Sequence, residues 1–417
     1  MKLAVAERKW LAARLPESMP DEQSHAHHYV PRWYQKKFLK PEQFKYFYLH
    51  LKSETIVHNG IKHQKRSVFH RGPATCFYED DLYALTFGRT TTDEMEKRFF
   101  GEIDGRGRQA VELFTEYGGF SKVHPVNFSI LTAYMGAQRF RTPKGLDYLK
   151  QQRNEADHNV ILRVLAEFFQ AYATMWSEGI WEFVRARQSE TKFIVSDNPV
   201  TFYNTGTFPH LYPYPNDVAL EDIGTRTIFP LSLDACLIIT HLQLARNPHV
   251  NPHRTRSNPR LFAQTLKYAL DTQFGRELSE DEVLRINFIL KKRASRYIAA
   301  AEEEWLYPER HASDRRWSML DDDWFLLPHL YKVPFGGGIK VGYRDGSVFA
   351  MDEYGRTPSH SAFEDREQHD REWKTFQQSK KEWAKKRKGH PVAHVEKVRG
   401  DDEIDDQIMQ EDLDNMT

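Results

Sequence analysis

Apolar and polar positions divide the chain into a strand-rich start, a helical middle and a mixed end. The stretches "FKYFYLHL" (44–51), "ETIVHN" (54–59) and "ATCFYEDDLYAL" (74–85) are alternating, aromatic-rich and bounded by turn formers, so they predict strands of a small antiparallel sheet. In "HAHHYVPRWYQKKFL" (25–39) Tyr29, Trp33 and Phe38 recur at helical spacing once Pro31 sets a first turn. Three long helical patterns follow. "TTDEMEKRFFGEIDGRGRQAVELFTEYGG" (91–119) takes Thr92 as its cap and closes on Gly118 and Gly119. "HPVNFSILTAYMGAQRFRT" (124–142) starts near Pro125 and stops at Pro143. The third, residues 145–188, is amphipathic over most of its length.

Beyond the helices, "FIVSDNPV" (193–200) reads as a strand that breaks at Pro199, because proline cannot continue a ladder. A Pro-, Tyr-, Asn- and Gly-rich loop (201–224) leads to "TRTIFPLSLDACLIITHL" (225–242), two strands joined at Pro230 to Leu233. "LSEDEVLRINFILKKRASRYIAAAEEEWL" (278–306) predicts a helix capped by Ser279 with acids in its first turn. "GGGIKVGYRDGSVFAMDEYGR" (336–356) predicts a hairpin around Asp345 and Gly346. The fold class is therefore α+β: a small, mostly antiparallel sheet with an inserted block of long helices, plus a charged C-terminal helix and an acidic tail. The expected division is a lead at 1–24, a globular domain at 25–310, a hairpin-containing extension at 311–360, a charged helical segment at 361–400 and a disordered tail at 401–417.

Composition narrows the class. The 417 residues exceed what one core usually serves, and 27 Phe, 19 Tyr and 9 Trp argue for a packed protein. Lys plus Arg equals Asp plus Glu at 59 each, so net charge favours neither nucleic acid nor its absence. Two cysteines, Cys76 and Cys236, are too few and too far apart for a disulfide framework or a thiolate zinc site. The N-terminal apolar run is short and interrupted by charge, and no window reaches the ~20 apolar residues of a membrane span, so the expectation is a cytoplasmic protein with no membrane partner. No cofactor motif is present, and the "GGG" at 336–338 precedes a strand-like run rather than a helix.

Four segments carry candidate chemistry. The basic run from Lys380 to Lys388 could meet phosphates or a protein partner, but reads better as a solvated helix end answered by the acidic tail. His25, His27 and His28 lack the one-face spacing of a metal site; one of them, His27 or His28, serves better as an acid, base or oxyanion partner. In "GAQRFRTP" (136–143), Gln138, Arg139 and Arg141 suggest either an anion clamp or structural pairs with carboxylates such as Glu94 and Glu96. Ser196, Asp197 and Asn198 form either an Asx-type turn or site residues presented at a strand end.

The order of "HHYVPRWYQKKF", "QRFRTP", "FIVSDNPV" and "IFPLSLDACL", followed by a helix bearing Asn287, resembles the domain of unknown function 4238 family of bacterial and viral proteins. The resemblance runs from about His25 to Trp305. It implies a pattern of residues rather than a reaction: His28, Pro31, Tyr34, Phe38, Gln138, Arg139, Thr142, Ser196, Asp197, Asn198, Pro199 and Pro230. Pro31, Tyr34 and Phe38 look architectural, whereas His28, Gln138, Arg139, Asp197 and Asn198 have mutual chemistry.

Two functions follow. The first is a phosphodiester hydrolase, a nuclease in a defence or toxin setting. His28 is its general acid or base, Asp197 orients that histidine or holds a divalent ion, and Arg139 binds the phosphate. Gln138, Arg141, Ser196 and Asn198 bind substrate. The alternative is a non-catalytic interaction module in which the same residues are a buried network and the aromatic strands meet a partner. An open pocket lined by His28, Arg139 and Asp197 separates the first from the second.

Overall fold

A computed structural model describes residues 25–388 apart from 53–54, 59–60, 65–66, 88–89, 93–94, 117–124 and 257–271. The expected N-terminal lead and acidic tail, and the closing glycines 118 and 119, lie outside the described residues. The architecture is α+β. A five-stranded sheet runs in the order Thr201–Tyr203, Arg226–Pro230, Ala235–His241, Gly179–Arg185, Thr272–Glu277, antiparallel except for its last pair. A four-stranded antiparallel sheet has the order Val195–Ser196, Tyr297–Ala300, Tyr46–His50, Val68–Arg71. Two-stranded pairs complete the strands, among them Ala26–His28 with Tyr78–Asp80 and the hairpin Gly338–Gly342 with Val348–Asp352.

The chain passes from one large sheet to the other at the SDNP turn. Val195–Ser196 pairs with Tyr297–Ala300, and two residues after Pro199 the strand Thr201–Tyr203 starts the five-stranded sheet. Asn287, on the helix Glu280–Arg293, ties this approach down: its amide donates to the Lys192 carbonyl at 2.8 Å and accepts from Ile194 N–H at 3.2 Å. That helix starts in a capping box, Ser279 Oγ accepting from Glu282 N–H and the Glu282 carboxylate from Ser279 N–H, so two otherwise orphaned donors are satisfied.

The helical block differs from its sequence pattern at three boundaries. Thr92 is in a short strand, Thr90–Thr92, and the helical region begins as a π-helical segment Met95–Phe100 before Gly101–Glu116. The helix that stops before Pro143 ends at Phe140, and Pro143 itself opens the next one, Pro143–Arg153, two residues earlier than the pattern from 145 predicts; its missing N–H costs nothing there, and Thr142 is the N-cap accepting from Gly145 N–H at 3.0 Å. The third pattern resolves into Pro143–Arg153, His158–Ser177 and the strand Gly179–Arg185. All seven residues of that strand, Glu182 and Arg185 included, are buried between two neighbouring strands, so no apolar–polar alternation marks it and it reads as a continuation of the helix. A similar correction applies to "ASRYIAA". The helix stops at Arg293 and Tyr297–Ala300 is a strand, again buried at most positions.

The C-terminal helix Arg366–Lys386 is packed rather than solvated. Phe376 and Trp383 join Ile180, Leu244, Leu327 and Leu330 in a second hydrophobic cluster. Within the basic run, Lys380 is buried with its ammonium 4.7 Å over the Phe376 ring, and Arg387 is buried against Glu282 at 2.6 Å. Lys381, Lys385, Lys386 and Lys388 are exposed, as expected of a solvated helix end, whereas Lys380 and Arg387 are not part of that face. Around the same point Arg276 forks onto Glu182 at 2.8 and 2.7 Å, Arg226 meets Asp321 at 2.6 Å and Arg285 meets Asp323 at 2.9 Å. Among the described residues no helix is long and apolar enough to cross a membrane.

Candidate functional site

The helix Pro125–Phe140 ends two residues before the Thr142 cap, so Arg139 on its last turn and Lys144 on the first turn of the next helix share one corner. The corner is tight. A Cβ on Gly145 would sit 2.4 Å from the Arg139 carbonyl oxygen, which only glycine avoids. Facing the corner are Asn198 from the sheet crossing, Asp217 from the loop after Thr201–Tyr203, and Arg293 at the end of its helix.

These side chains meet. Arg139 donates to Asn198 Oδ1 at 2.9 Å and to Asp217 Oδ2 at 3.1 Å; Lys144 Nζ donates to the same Asp217 oxygen at 3.0 Å; and Arg293 approaches Asp217 Oδ1 at 3.4 Å. The Arg293 carbonyl, an unsatisfied acceptor of the helix end, receives Asn198 Nδ2 at 3.3 Å and Lys144 Nζ at 3.5 Å. Arg139, Asp217 and Arg293 are all less than a tenth exposed, so three cations share one buried carboxylate. Burial by itself would raise the Asp217 carboxyl, but Lys144, then Arg139 and Arg293, outweigh it and hold it well below the usual range. For Lys144 burial pushes the ammonium down, Asp217 opposes that, and Arg139 and Arg293 add to it.

Asp197 stands beside this cluster but does different work. Its carboxylate accepts from the backbone N–H groups of Ser295, Arg296 and Tyr297 at 2.8, 2.6 and 3.0 Å, which fastens the helix exit to the sheet crossing. Burial raises its carboxyl, while those three N–H groups and then Lys144 pull it back. Ser196 Oγ accepts from Asn198 N–H at 3.2 Å, so the expected polar turn is also present.

The remaining candidates fall apart into other groups. Gln138, on the last turn of the helix, and Arg141, just beyond its end, bond each other. Arg141 also forks onto Asp104 at 2.9 and 3.1 Å and donates to the Tyr29 carbonyl at 3.1 Å, a structural tie between the helical block and the N-terminal segment. The carboxylate partners of the two arginines are thus Asp217 and Asp104 in place of the expected glutamates; Glu94 lies outside the described residues. His28 is half-buried, with Nε2 3.3 Å from the Ala74 carbonyl and its ring against Tyr78. It makes no hydrogen bond to Arg139 or Asp197. His27 is fully buried, accepting from Tyr83 N–H at 2.9 Å. Among the described residues no three His, Cys, Asp or Glu side chains are grouped to hold a metal ion.

A cavity of about 190 Å³ opens against the cationic cluster, lined by Lys52, Lys144, Lys292, Arg293, Tyr212 and Tyr214 among others. A larger groove of about 670 Å³ lies far along the chain, between the hairpin and the C-terminal helix, and carries both signs of charge, Lys340, Arg356 and Arg366 with Asp352, Glu353 and Asp365. Charge rather than size singles out the smaller one. Sequence pattern had marked Arg139, Asp197 and Asn198; it had not marked Lys144, Asp217 or Arg293. A lysine after a capped proline, an aspartate in a polar loop and an arginine in a helix's last turn each have an ordinary local explanation.

No curated protein and no solved structure matches the chain. One family model does, that of Protein of unknown function (DUF4238), over residues 26–178 and 160–304. Those two overlapping stretches hold every member of the cationic cluster and cover more than half of the sequence, and the chain belongs to the DUF4238 family.

Proposed function

We propose that this protein is a recognition module for a phosphate-bearing ligand, bound in the cavity beside Lys144 and Arg293. One observation carries the reading: three buried cations share a single carboxylate next to a cavity that two further lysines line. Burying a cation costs several kcal/mol unless an anion compensates it, so an excess of this kind suits a site completed by an incoming anion. Titration calorimetry with inorganic phosphate at low and high salt tests it. Saturable, salt-sensitive binding that Lys144→Met removes is the expected result; no binding to the wild type sinks the reading.

Phosphodiester hydrolysis is the second reading, and the lowered Lys144 ammonium favours it, since a lysine that gives up its proton more readily is a better proton donor to a leaving group. In this version Arg139 and Arg293 supply the phosphate contacts, and Lys144 takes the role first given to His28. Labelled RNA and DNA, with and without magnesium or manganese, provide the assay. Cleavage lost in Lys144→Met and kept in His28→Ala supports it, and an inert wild type ends it.

A further inference from the structure

We infer that the ligand is a nucleoside 5′-monophosphate group, with its phosphate in the cavity and its base stacked on Tyr214; this rests on the anion reading above. Size makes the first cut. About 190 Å³ is the liquid share of roughly six waters, at ~30 Å³ each, and falls short of the ~300–1,000 Å³ of pockets that enclose a whole drug-sized ligand. The cavity therefore takes a head group and leaves the rest of the molecule at its mouth.

Charge makes the second cut. Lys52, Lys144, Lys292 and Arg293 line the cavity and Arg139 stands behind them, five cations against the two carboxylates of Asp197 and Asp217. Asp147, near the mouth, is answered by Lys150 at 3.3 Å. A phosphate monoester brings about −1.5 to −2 at neutral pH, where a diester or a carboxylate brings only about one negative charge, so the monoester matches the excess better. It also brings acceptors. Among the described residues the Nε of Arg293, on a side chain only a few per cent exposed that lines the cavity, has no hydrogen-bond partner.

The mouth supplies the third observation. Tyr214 is 47% exposed, yet its ring is held, because its hydroxyl donates to Asp147 Oδ2 at 2.7 Å. The exposed Lys52 ammonium lies 6.0 Å from that ring's centroid, a place that a base takes by displacing it. Asn216, on the same wall, offers its amide to the ribose or base edge. An exposed tyrosine of fixed orientation beside a phosphate hole is the arrangement by which single nucleotides are gripped without sequence preference.

The experiment measures the affinities of inorganic phosphate, ribose 5-phosphate, adenosine, adenosine 5′-monophosphate, and one oligonucleotide with a 5′-phosphate or a 5′-hydroxyl. Wild type and Tyr214→Ala are compared after a thermal melt shows both folded. The expected result is adenosine 5′-monophosphate about tenfold or more tighter than ribose 5-phosphate, little binding of adenosine, and a ratio near one in Tyr214→Ala. A preference for the 5′-phosphorylated strand over the mononucleotide assigns the source to a strand end, and the reverse to free nucleotide; both support the inference. Equal affinity for ribose 5-phosphate and the nucleotide overturns it while phosphate binding still stands. If inorganic phosphate itself fails to bind, the anion reading falls first and this one with it.

Discussion

The two ends of the helix Glu280–Arg293 each carry a buried ionic cluster, and they differ in their balance. Around its start, Arg276, Arg387, Arg226 and Arg285 each meet an acid of their own, Glu182, Glu282, Asp321 and Asp323, and Arg285 meets Asp281 as well, so no cation is in excess. Around its end, Arg139, Lys144 and Arg293 converge on Asp217, while the nearby Asp197 spends its oxygens on three backbone N–H groups. A balanced cluster is complete as it stands, and here it docks the C-terminal helix onto the core through Arg387. An unbalanced one beside a cavity has room for another anion. Burial and hydrogen bonding are alike in the two places, so it is the sign count that separates them and on which the proposed anion site rests.

The strongest way to break this contrast is Asp217→Asn. It leaves three buried cations facing one another, with an expected cost of about 3–5 kcal/mol in urea unfolding, and added phosphate should restore part of the loss. A cost below ~1 kcal/mol would mean that the cations are adequately solvated without their carboxylate. Glu282→Gln, in the balanced cluster, is expected to cost about 3 kcal/mol because Arg276 and Arg387 lose their shared partner, and here phosphate should restore nothing. Rescue of this variant by phosphate would erase the distinction.

A smaller effect comes from pH. His329, buried against Trp383 beside the balanced cluster, is pushed down to about 3 by burial first and then by Lys332 and Arg276. The unfolded chain takes up this proton near pH 6.5 and the folded one does not. Stability is therefore complete above about pH 6.5 and declines as pH falls toward 3, by about 1 kcal/mol between pH 7 and 5.5. His329→Asn should flatten that part of the unfolding profile; an unchanged slope would place the titration elsewhere. Smallest in stability is Lys144→Met, which removes one of the excess cations at similar volume and should shift unfolding by less than ~1 kcal/mol in either direction while abolishing phosphate binding. A large loss of stability would make Lys144 a structural partner of Asp217 in the manner of the other cluster.

Local pattern carried much of this fold. The capping box at Ser279, the hairpin around Asp345 and Gly346, the helix over "HPVNFSILTAYMGAQRF" and the break at Pro199 were all legible, since each depends on residues within a few positions of one another. The strands Gly179–Arg185 and Tyr297–Ala300 were not, because burial on both faces removes the alternation that marks a strand. Of the site, Arg139, Asp197 and Asn198 were visible as unusual polar groups, and His28, Gln138 and Arg141 were grouped with them by chemistry alone. In space Gln138 and Arg141 turn to Asp104 and Tyr29, since Gln138 points away from its helix neighbour Arg139 and Arg141 lies beyond the helix end.

The sequence by itself determined the α+β class, most of the helices and the polar turn at the sheet crossing, for these follow from periodicity, capping and proline chemistry over short spans. Only the tertiary structure decided which charges share a space. Asp217 meets partners 78, 73 and 76 positions away in Arg139, Lys144 and Arg293, and the separation that sets their interaction is a distance through the fold rather than along the chain. The neutral total of the chain therefore concealed a local excess of positive charge.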